Sequence, residues 1–275
     1  METEIRIEGL YKAFAGREVL RGVSLDVYRG EMLAIVGGSG CGKTVLINHV
    51  LGLLVPDRGR IVVADHDAPG TPLRDLADLS QEERDRIHTH WGVVFQRNAL
   101  FSGSVYDNMA LWLREVRALP EEDIPPIARA ALKAVGLPED DEFLNRGQEN
   151  LSGGMAKRLA VARAVATDPV VIFYDEPTTG LDPTSSAQIH DLIHRTHEAY
   201  QSSTGVRTTV IITHDKDLVY RLRPRIVMLH EGKVHFDGPF EVFEKSDSPI
   251  IRPYFELMPL LNQRHPPLET LRAVV

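Results

Sequence analysis

The sequence predicts an α/β fold, and three observations predict it. Short apolar runs such as Met32–Val36 and Val170–Tyr174 have the length and composition of buried strands. Stretches of helical character, among them Thr44–Leu53 and Thr184–Tyr200, alternate with them. A glycine-rich loop, Gly37–Thr44, joins one such strand directly to a helix.

Taken in order, Ile5–Tyr11 and Val19–Val27 alternate apolar and polar residues, as half-buried strands do, and Ala15-Gly16-Arg17 between them reads as a hairpin turn. Met32–Val36 reads as a central strand, Ile61–Val63 and Val93–Phe95 as further strands, and the charged stretch Asp75–Arg86 as helical. From Asn108 to about Thr167 the pattern is helical, punctuated by Pro120, Pro125, Pro126 and Pro138, which predicts a helical insertion in the α/β core. Thr208–Thr213 returns to a buried strand. Arg225–Leu229 and Lys233–Gly238 read as a terminal hairpin around Glu231-Gly232. The tail after Ser246 carries Pro249, Pro253, Pro259, Pro266 and Pro267 and cannot hold long regular elements.

Composition bounds the function. A chain of 275 residues with 43% hydrophobic residues can fill a sizeable core. A net charge of −8 argues against a general electrostatic grip on nucleic acid. The single cysteine, Cys41, excludes an internal disulfide and fits a reducing compartment. The start Met1-Glu-Thr-Glu lacks the basic and apolar segments of a secretory leader, and no apolar run approaches the ~20 residues that span a bilayer. A membrane role is therefore expected to come through a partner.

The chemistry concentrates in a few segments. Gly37-Gly38-Ser39-Gly40-Cys41-Gly42-Lys43-Thr44 has the spacing of a phosphate-binding loop. Its glycines let backbone N–H groups turn inward, and the following helix start adds its own donors. In that reading Lys43 reaches the β- and γ-phosphates and Thr44 offers its hydroxyl to Mg²⁺. Cys41 reads as a small filler, although thiol modification there would block the nucleotide. Val170–Tyr174 ends in two carboxylates, Asp175 and Glu176, at the end of a strand where such sheets gather ligands. Asp175 is suited to hold Mg²⁺ through water, and Glu176 to polarise an attacking water. His214 follows Thr208–Thr213 in the same way and suits a hydrogen bond to the γ-phosphate.

Leu151-Ser152-Gly153-Gly154-Met155 decides the class. It is a serine and two glycines at a helix start, a second anion site, with Ser152 also suited to cap the helix. The segment resembles the signature of ATP-binding cassette (ABC) ATPases, usually Leu-Ser-Gly-Gly-Gln. The resemblance spans roughly residues 5 to 240 and carries further matches in register: Phe14 to the aromatic residue that stacks on adenine, with Tyr11 as the alternative, Gln96 to the Q-loop glutamine, Gly180-Leu-Asp182 to the D-loop and His214 to the switch histidine. It implies a P-loop NTPase (RecA-like) core with an N-terminal antiparallel β subdomain and an inserted α-helical subdomain at about residues 97–166, within an ATP-binding domain over residues 1–245. It further implies ATP as ligand, Mg²⁺ held by Thr44, Gln96 and Asp175, and a homodimer in which one subunit's phosphate loop and the other's signature sandwich each ATP. The surface near Gln96–Tyr106 would receive a membrane permease; the apolar Ala99-Leu100-Phe101 there has a plain core reading too.

Met155 and Val94-Phe-Gln-Arg-Asn-Ala-Leu-Phe101 resemble the ATPases of bacterial Mce/Mla-type lipid transporters, as do Val105-Tyr-Asp-Asn108 and Leu113-Arg-Glu115. Asn98 stands where that subgroup usually has glycine, and asparagine tolerates left-handed backbone. This resemblance implies phospholipid transport from the cytoplasmic face of the bacterial inner membrane. It also implies a separate permease, a periplasmic Mce-domain lipid-binding protein and a small cytoplasmic regulatory protein. The alternatives are an ABC ATPase for an amino acid, ion or drug, and a non-transport ABC protein. The tail Pro249–Val275, with Ile250, Ile251, Tyr254, Phe255 and Leu257, either clamps the neighbouring ATPase or stays self-packed or disordered.

Overall fold

A computed structural model describes residues 1–198 and 207–256, the side chains of Phe255 and Glu256 excepted. In chain order the first elements are β1 (Thr3–Phe14), β2 (Arg17–Tyr28), β3 (Met32–Val36), α1 (Lys43–Val50), β4 (Arg58–Ala64), β5 (Leu73–Asp75), α2 (Gln81–His88) and β6 (Trp91–Val94). There follow α3 (Val105–Glu115), α4 (Ile124–Ala134), α5 (Asp141–Leu144), a 3₁₀ turn at Gln148–Asn150, α6 (Gly153–Ala166), β7 (Val171–Asp175) and α7 (Pro183–Glu198). The last are β8 (Thr208–Ile212), α8 (Lys216–Leu222), β9 (Arg225–His230), β10 (Lys233–Gly238), α9 (Phe240–Glu244) and α10 (Arg252–Glu256). The chain forms two compact units, Met1–Arg84 with Thr209–Val275, and Asp85–Thr208.

In the first unit β2, β1, β4 and β5 make an antiparallel sheet in that order. Its register pairs Ile5 with Val27 and Val63, and Ile7 with Leu25 and Ile61. The two-residue period thus puts one apolar set on a single face, and all six side chains are buried. The β1–β2 turn is Ala15-Gly16, with φ of 48° and 79°, which is the pair of positive φ values that a two-residue hairpin needs. Glu231-Gly232, at 48° and 76°, turns β9 into β10 in the same way. β3 runs parallel to β8 and to β9. Strands covered on both faces need apolar residues at every position, and Leu33 to Val36 are at most 3% exposed.

The second unit holds the parallel pair β6–β7 and helices α3 to α7. Ala110, Leu113 and Ile124 form a helical core against Tyr106, Leu119, Ile127 and Ala166. Pro125 and Pro126 lie in the first turn of α4, where a missing N–H leaves no helical bond unmade.

Some expected boundaries shift. The stretch Asp75–Arg86 is not one helix: Leu73–Asp75 pairs antiparallel to β4, and α2 begins at Gln81 because Ser80 and Glu83 cap each other. α3 starts at Val105, ahead of Asn108, because Ser104 and Asp107 form a full capping box. β6 is Trp91–Val94, in register with Val171–Tyr174, and stops before Phe95, whose carbonyl turns to Lys157. In the tail, Ile251 is buried, and the Tyr254 ring lies 5.5 Å from Phe243 and 5.1 Å under Lys216 Nζ, so this part packs on its own chain. Leu257 and the residues after it lie outside the described residues.

Leu33 is fully buried in β3. Leu33→Ala is expected to cost about 2–5 kcal/mol in urea unfolding, the range for emptying a buried leucine site.

Candidate functional site

The first unit carries the glycine-rich loop Gly37–Thr44. It leaves the end of β3 and enters α1 at Gly42, which stands at the N-cap with φ 105° and gives no side-chain cap. The first turn of α1 holds no acidic residue, and Gly42 gives its N–H groups no side-chain cap. Lys43 is buried and folds back, its Nζ donating to Gly37 O at 2.9 Å and Gly38 O at 3.2 Å. Thr44, Gly38, Ser39 and Gly40 are exposed, and Cys41 is half-buried. Gly37 has φ 150°, and a Cβ there would stand 2.3 Å from Leu229 O of β9 and 2.7 Å from Cys41 Sγ. The loop holds the Lys43 ammonium against its own carbonyls at the start of a helix, an arrangement that suits an anion with several charged oxygens.

The same unit supplies His214 and the aromatic residues. β8 pairs in parallel with β3, Ile35 opposite Ile212, and Thr213 N donates to Ile35 O at 3.1 Å. His214 therefore leaves the sheet at the end where the loop begins, and it is exposed. Phe14 closes β1 with 44% of its surface exposed, and Lys12 Nζ lies 5.6 Å from its ring centroid. Tyr11 is turned onto its own sheet, its hydroxyl against Gly22 and its ring under Arg58. Of the two, Phe14 presents the freer ring. Sequence reading missed what holds it: Lys12 donates to Val55 O and Asp57 Oδ1, and Asp57 Oδ2 accepts from Ala13 N. The pairing with Lys12 keeps the Asp57 carboxyl below the usual carboxylate range. A basic residue two positions before the aromatic was the available signal.

The second unit gathers Gln96, Asp175, Glu176, the signature and Asp182. β6 and β7 run parallel with Val94 opposite Tyr174, so Phe95-Gln96 and Asp175-Glu176 leave the pair at the same end. Asp175 and Glu176 are each 8% exposed. Glu176 has φ 47°, a left-handed backbone that costs a non-glycine residue energy and recurs at functional sites. Gln96 is exposed. Ser152 is the N-cap of α6, its Oγ accepting from Met155 N at 3.2 Å, so the capping reading holds. Ser152 and Gly153 remain exposed, and Gly154 packs against Ser185. Asp182 caps α7: its carboxylate accepts from Ser185 Oγ and from the N–H groups of Thr184 and Ser185, and these bonds, Ser185's hydroxyl foremost, hold it below the usual carboxylate range.

Two further residues of this unit were not singled out from sequence. Lys157 is 2% exposed, and its Nζ donates to Phe95 O at 3.1 Å and Gln96 O at 3.0 Å. Burial pushes it down to about 8, against a partial opposing pull from Asp175. Arg163 donates to Ala99 O at 2.8 Å and Asn98 O at 3.3 Å. The signal was present: a cation inside a helix as apolar as Leu159–Ala166 must find oxygen partners. Ala99 and Phe101 do not join the core; Phe101 is 50% exposed, and Phe95, Leu111, Trp112 and Val116 are exposed too. The left-handed position in this segment is Ala99, at φ 47°, not Asn98.

Comparison with known proteins agrees with this geometry. The ABC transporter family model matches residues 20–179. "Protein TRIGALACTOSYLDIACYLGLYCEROL 3, chloroplastic" of Arabidopsis thaliana is 33% identical over 262 residues, covering 91% of this chain and 72% of that protein. The "probable ribonucleotide transport ATP-binding protein mkl" of Mycobacterium leprae is 35% identical over 255 residues, covering 92% and 69%. Among solved structures, cbiO1 from Clostridium perfringens, part of the ABC transporter complex cbiONQ, superposes with a TM-score of 0.73 at 30% identity, over 100% of this chain and 99% of that one. A dimeric ATP-binding cassette in a post-hydrolysis state with ADP and Pi gives a TM-score of 0.71 at 27% identity, over 86% and 98%. A strand-to-helix phosphate loop together with a serine-capped signature helix defines a P-loop ATPase of the cassette type. The chain belongs to the ABC transporter family and is its ATP-hydrolysing component.

Gly37→Ala sets a methyl against the backbone of β9 at a φ that alanine resists. It is expected to lower stability by more than about 1 kcal/mol and to weaken nucleotide binding, read by thermal unfolding and by titration with a fluorescent ATP analogue.

Proposed function

We propose that this chain is the ATPase subunit of a transporter that moves phospholipid, or another hydrophobic molecule, between bacterial membranes with an Mce/Mla-type permease. Residues 1–245 form the ATP-binding domain, and about 97–166 its helical subdomain. One observation carries the ATPase part of the reading. The chain presents two anion-ready helix starts of different kind, α1 with no side-chain cap and α6 capped by Ser152. With one phosphate loop and one signature in 275 residues, a second copy completes each site. The fit of the chain to dimeric cassettes supports that homodimer.

Each residue then has a role. The N–H groups of Gly38 to Thr44 hold the phosphates, and Lys43 leaves its own loop carbonyls for the β- and γ-phosphates. Phe14 stacks on adenine. Ser152, Gly153 and Gly154 of the partner copy cover the γ-phosphate, and Asp182 holds the D-loop beside the signature. Water attacks the γ-phosphorus as the bond to the β–γ bridging oxygen breaks, giving ADP and phosphate. Glu176 takes the water's proton, while His214 and Gln96 hold the γ-phosphate oxygens and the attacking water. The hydroxyl of Thr44, the carboxylate of Asp175 and the amide of Gln96 are the oxygen donors that Mg²⁺ prefers. Held by these residues, Mg²⁺ would supply positive charge to offset that of the phosphate oxygens.

The lipid part rests on Met155 and the 94–101 segment, on the exposed apolar side chains of Phe95 and Phe101 as a permease-facing surface, and on a relative whose name is that of a galactolipid. Relatives named for spermidine/putrescine and for sulfate/thiosulfate import keep a second reading, another cargo, in play. No described helix is long and apolar enough to cross a membrane. The resemblance to Mce/Mla-type ATPases supports attachment through the permease at the cytoplasmic face of the inner membrane. A periplasmic Mce-domain protein and a small cytoplasmic regulator complete the assembly.

Glu176→Gln is expected to bind ATP normally, lose about 100-fold or more in kcat and accumulate as a dimer with ATP on size exclusion; steady-state turnover at the wild-type rate would remove Glu176 as the base. Lys43→Ala is expected to weaken ATP affinity by about ten-fold or more in a titration. For the cargo, the complex is purified from membranes and its bound lipid identified by mass spectrometry. Turnover stimulated by phospholipid supports the lipid reading, and turnover stimulated only by an amino acid, polyamine or inorganic ion overturns it.

A further inference from the structure

One helix grips the Q-loop segment at both ends. From α6, Lys157 donates to the carbonyls of Phe95 and Gln96, and Arg163 to those of Asn98 and Ala99. Arg163 also lies 5.3 Å from the Phe101 ring centroid. The two cations sit six residues apart, about 9 Å along the helix, so they span the segment rather than touch it at one point. Lys157 is almost wholly buried, and both cations donate to backbone carbonyls. A buried cation is costly to hold unless its donors are engaged, so these carbonyls are fastened firmly. The side chain of Gln96 meanwhile stays exposed. The backbone of the segment is anchored, and its functional group is left free.

We propose that Lys157 and Arg163 are positioning residues that fasten residues 95–99 to the signature helix, so that engagement of ATP at Ser152 and sensing at Gln96 move as one piece and carry the Phe101 surface with them. Ser152 caps the same helix five residues before Lys157, so a displacement at the cap is transmitted through a rigid element. This rests on the reading of Ser152 and Gln96 as ATP contacts. It assigns neither cation any contact with the nucleotide. Nucleotide affinity, set by the phosphate loop in the other unit, is unaffected by the clamp, whereas turnover requires it.

The test compares the purified full chain with Lys157→Met, Arg163→Met and Lys157→Arg. Each methionine variant is expected to lose about ten- to hundred-fold in kcat, the scale of a small misplacement of a catalytic group, with ATP affinity within about two-fold of wild type. Amide exchange in peptides covering 95–101 is expected to quicken about ten-fold, with exchange elsewhere unchanged. Lys157→Arg, which keeps donors on a long stem, is expected to recover most of the rate. Unchanged kcat in both methionine variants, or unchanged exchange at 95–101, overturns the clamp. So does a rate loss matched by lost affinity and lower melting that Lys157→Arg does not repair. If Lys157→Met does not fold, Arg163→Met, at a half-buried site, decides alone. A wild-type chain that fails to hydrolyse ATP would sink the ATPase reading, and the exchange at 95–101 would still decide the clamp.

Discussion

A helix begins with backbone N–H groups that have no partner inside it, and the proposed nucleotide contacts of this chain are arranged around two such beginnings. At α1 the N-cap is Gly42, which offers no side-chain oxygen, and Lys43 turns back onto the carbonyls of Gly37 and Gly38. At α6 Ser152 satisfies Met155 N and leaves Gly153 beside it exposed. The requirement reaches back into the sheets. A helix can present its start to a phosphate only if the strand before it delivers the chain to the correct place, which is why β3 is apolar at nearly every position and bonded in parallel on both sides. The same logic sets the ends of β6 and β7, where Gln96 and the Asp175-Glu176 pair emerge together.

Residues that carry the family resemblance also carry structure. Ser104 and Asp107 form the capping box of α3, and the buried Asn108 accepts from Phe101 N while donating to the carbonyls of Phe101 and Ser104. The segment Val105–Asn108 therefore fixes the stem of the exposed 95–104 stretch. Arg163 and Lys157 fix its other side. An exposed apolar surface at Phe101 is held in place by polar bonds to its backbone rather than by burial of its side chains. That arrangement keeps the surface available to a partner without letting it collapse into the core.

Much of this was legible in the sequence because it rests on local rules. The hairpins at Ala15-Gly16 and Glu231-Gly232 follow from turn chemistry, β3 and β7 from uninterrupted apolar runs, and Ser152 from cap preference. What escaped depends on distant partners. Of β5 only Asp75 is assigned from sequence, as helix, because Leu73–Asp75 has no strand pattern of its own and is a strand only through pairing with Val62–Ala64. Lys157 and Arg163 look like the polar face of an ordinary helix, and their acceptors lie some sixty residues earlier in the chain. Lys12 and Asp57 escaped for the same reason. The left-handed backbone that asparagine would tolerate at position 98 falls on Ala99, one residue on.

The hairpin turn at Gly232 has a consequence of another kind. Arg21 N donates to Gly232 O at 2.8 Å, and Arg225 reaches the carbonyl of Asp26 and the carboxylate of Glu31, nearly two hundred residues upstream. The unit that bears the phosphate loop is thus closed by its own two ends, whereas residues 85–208 form an unbroken stretch. On a ribosome the contiguous stretch has all its contacts within reach while the other unit still waits for β9 and β10. The unit that carries the glycine-rich loop is therefore the later of the two to be finished, because β9 and β10 follow the whole of residues 85–208.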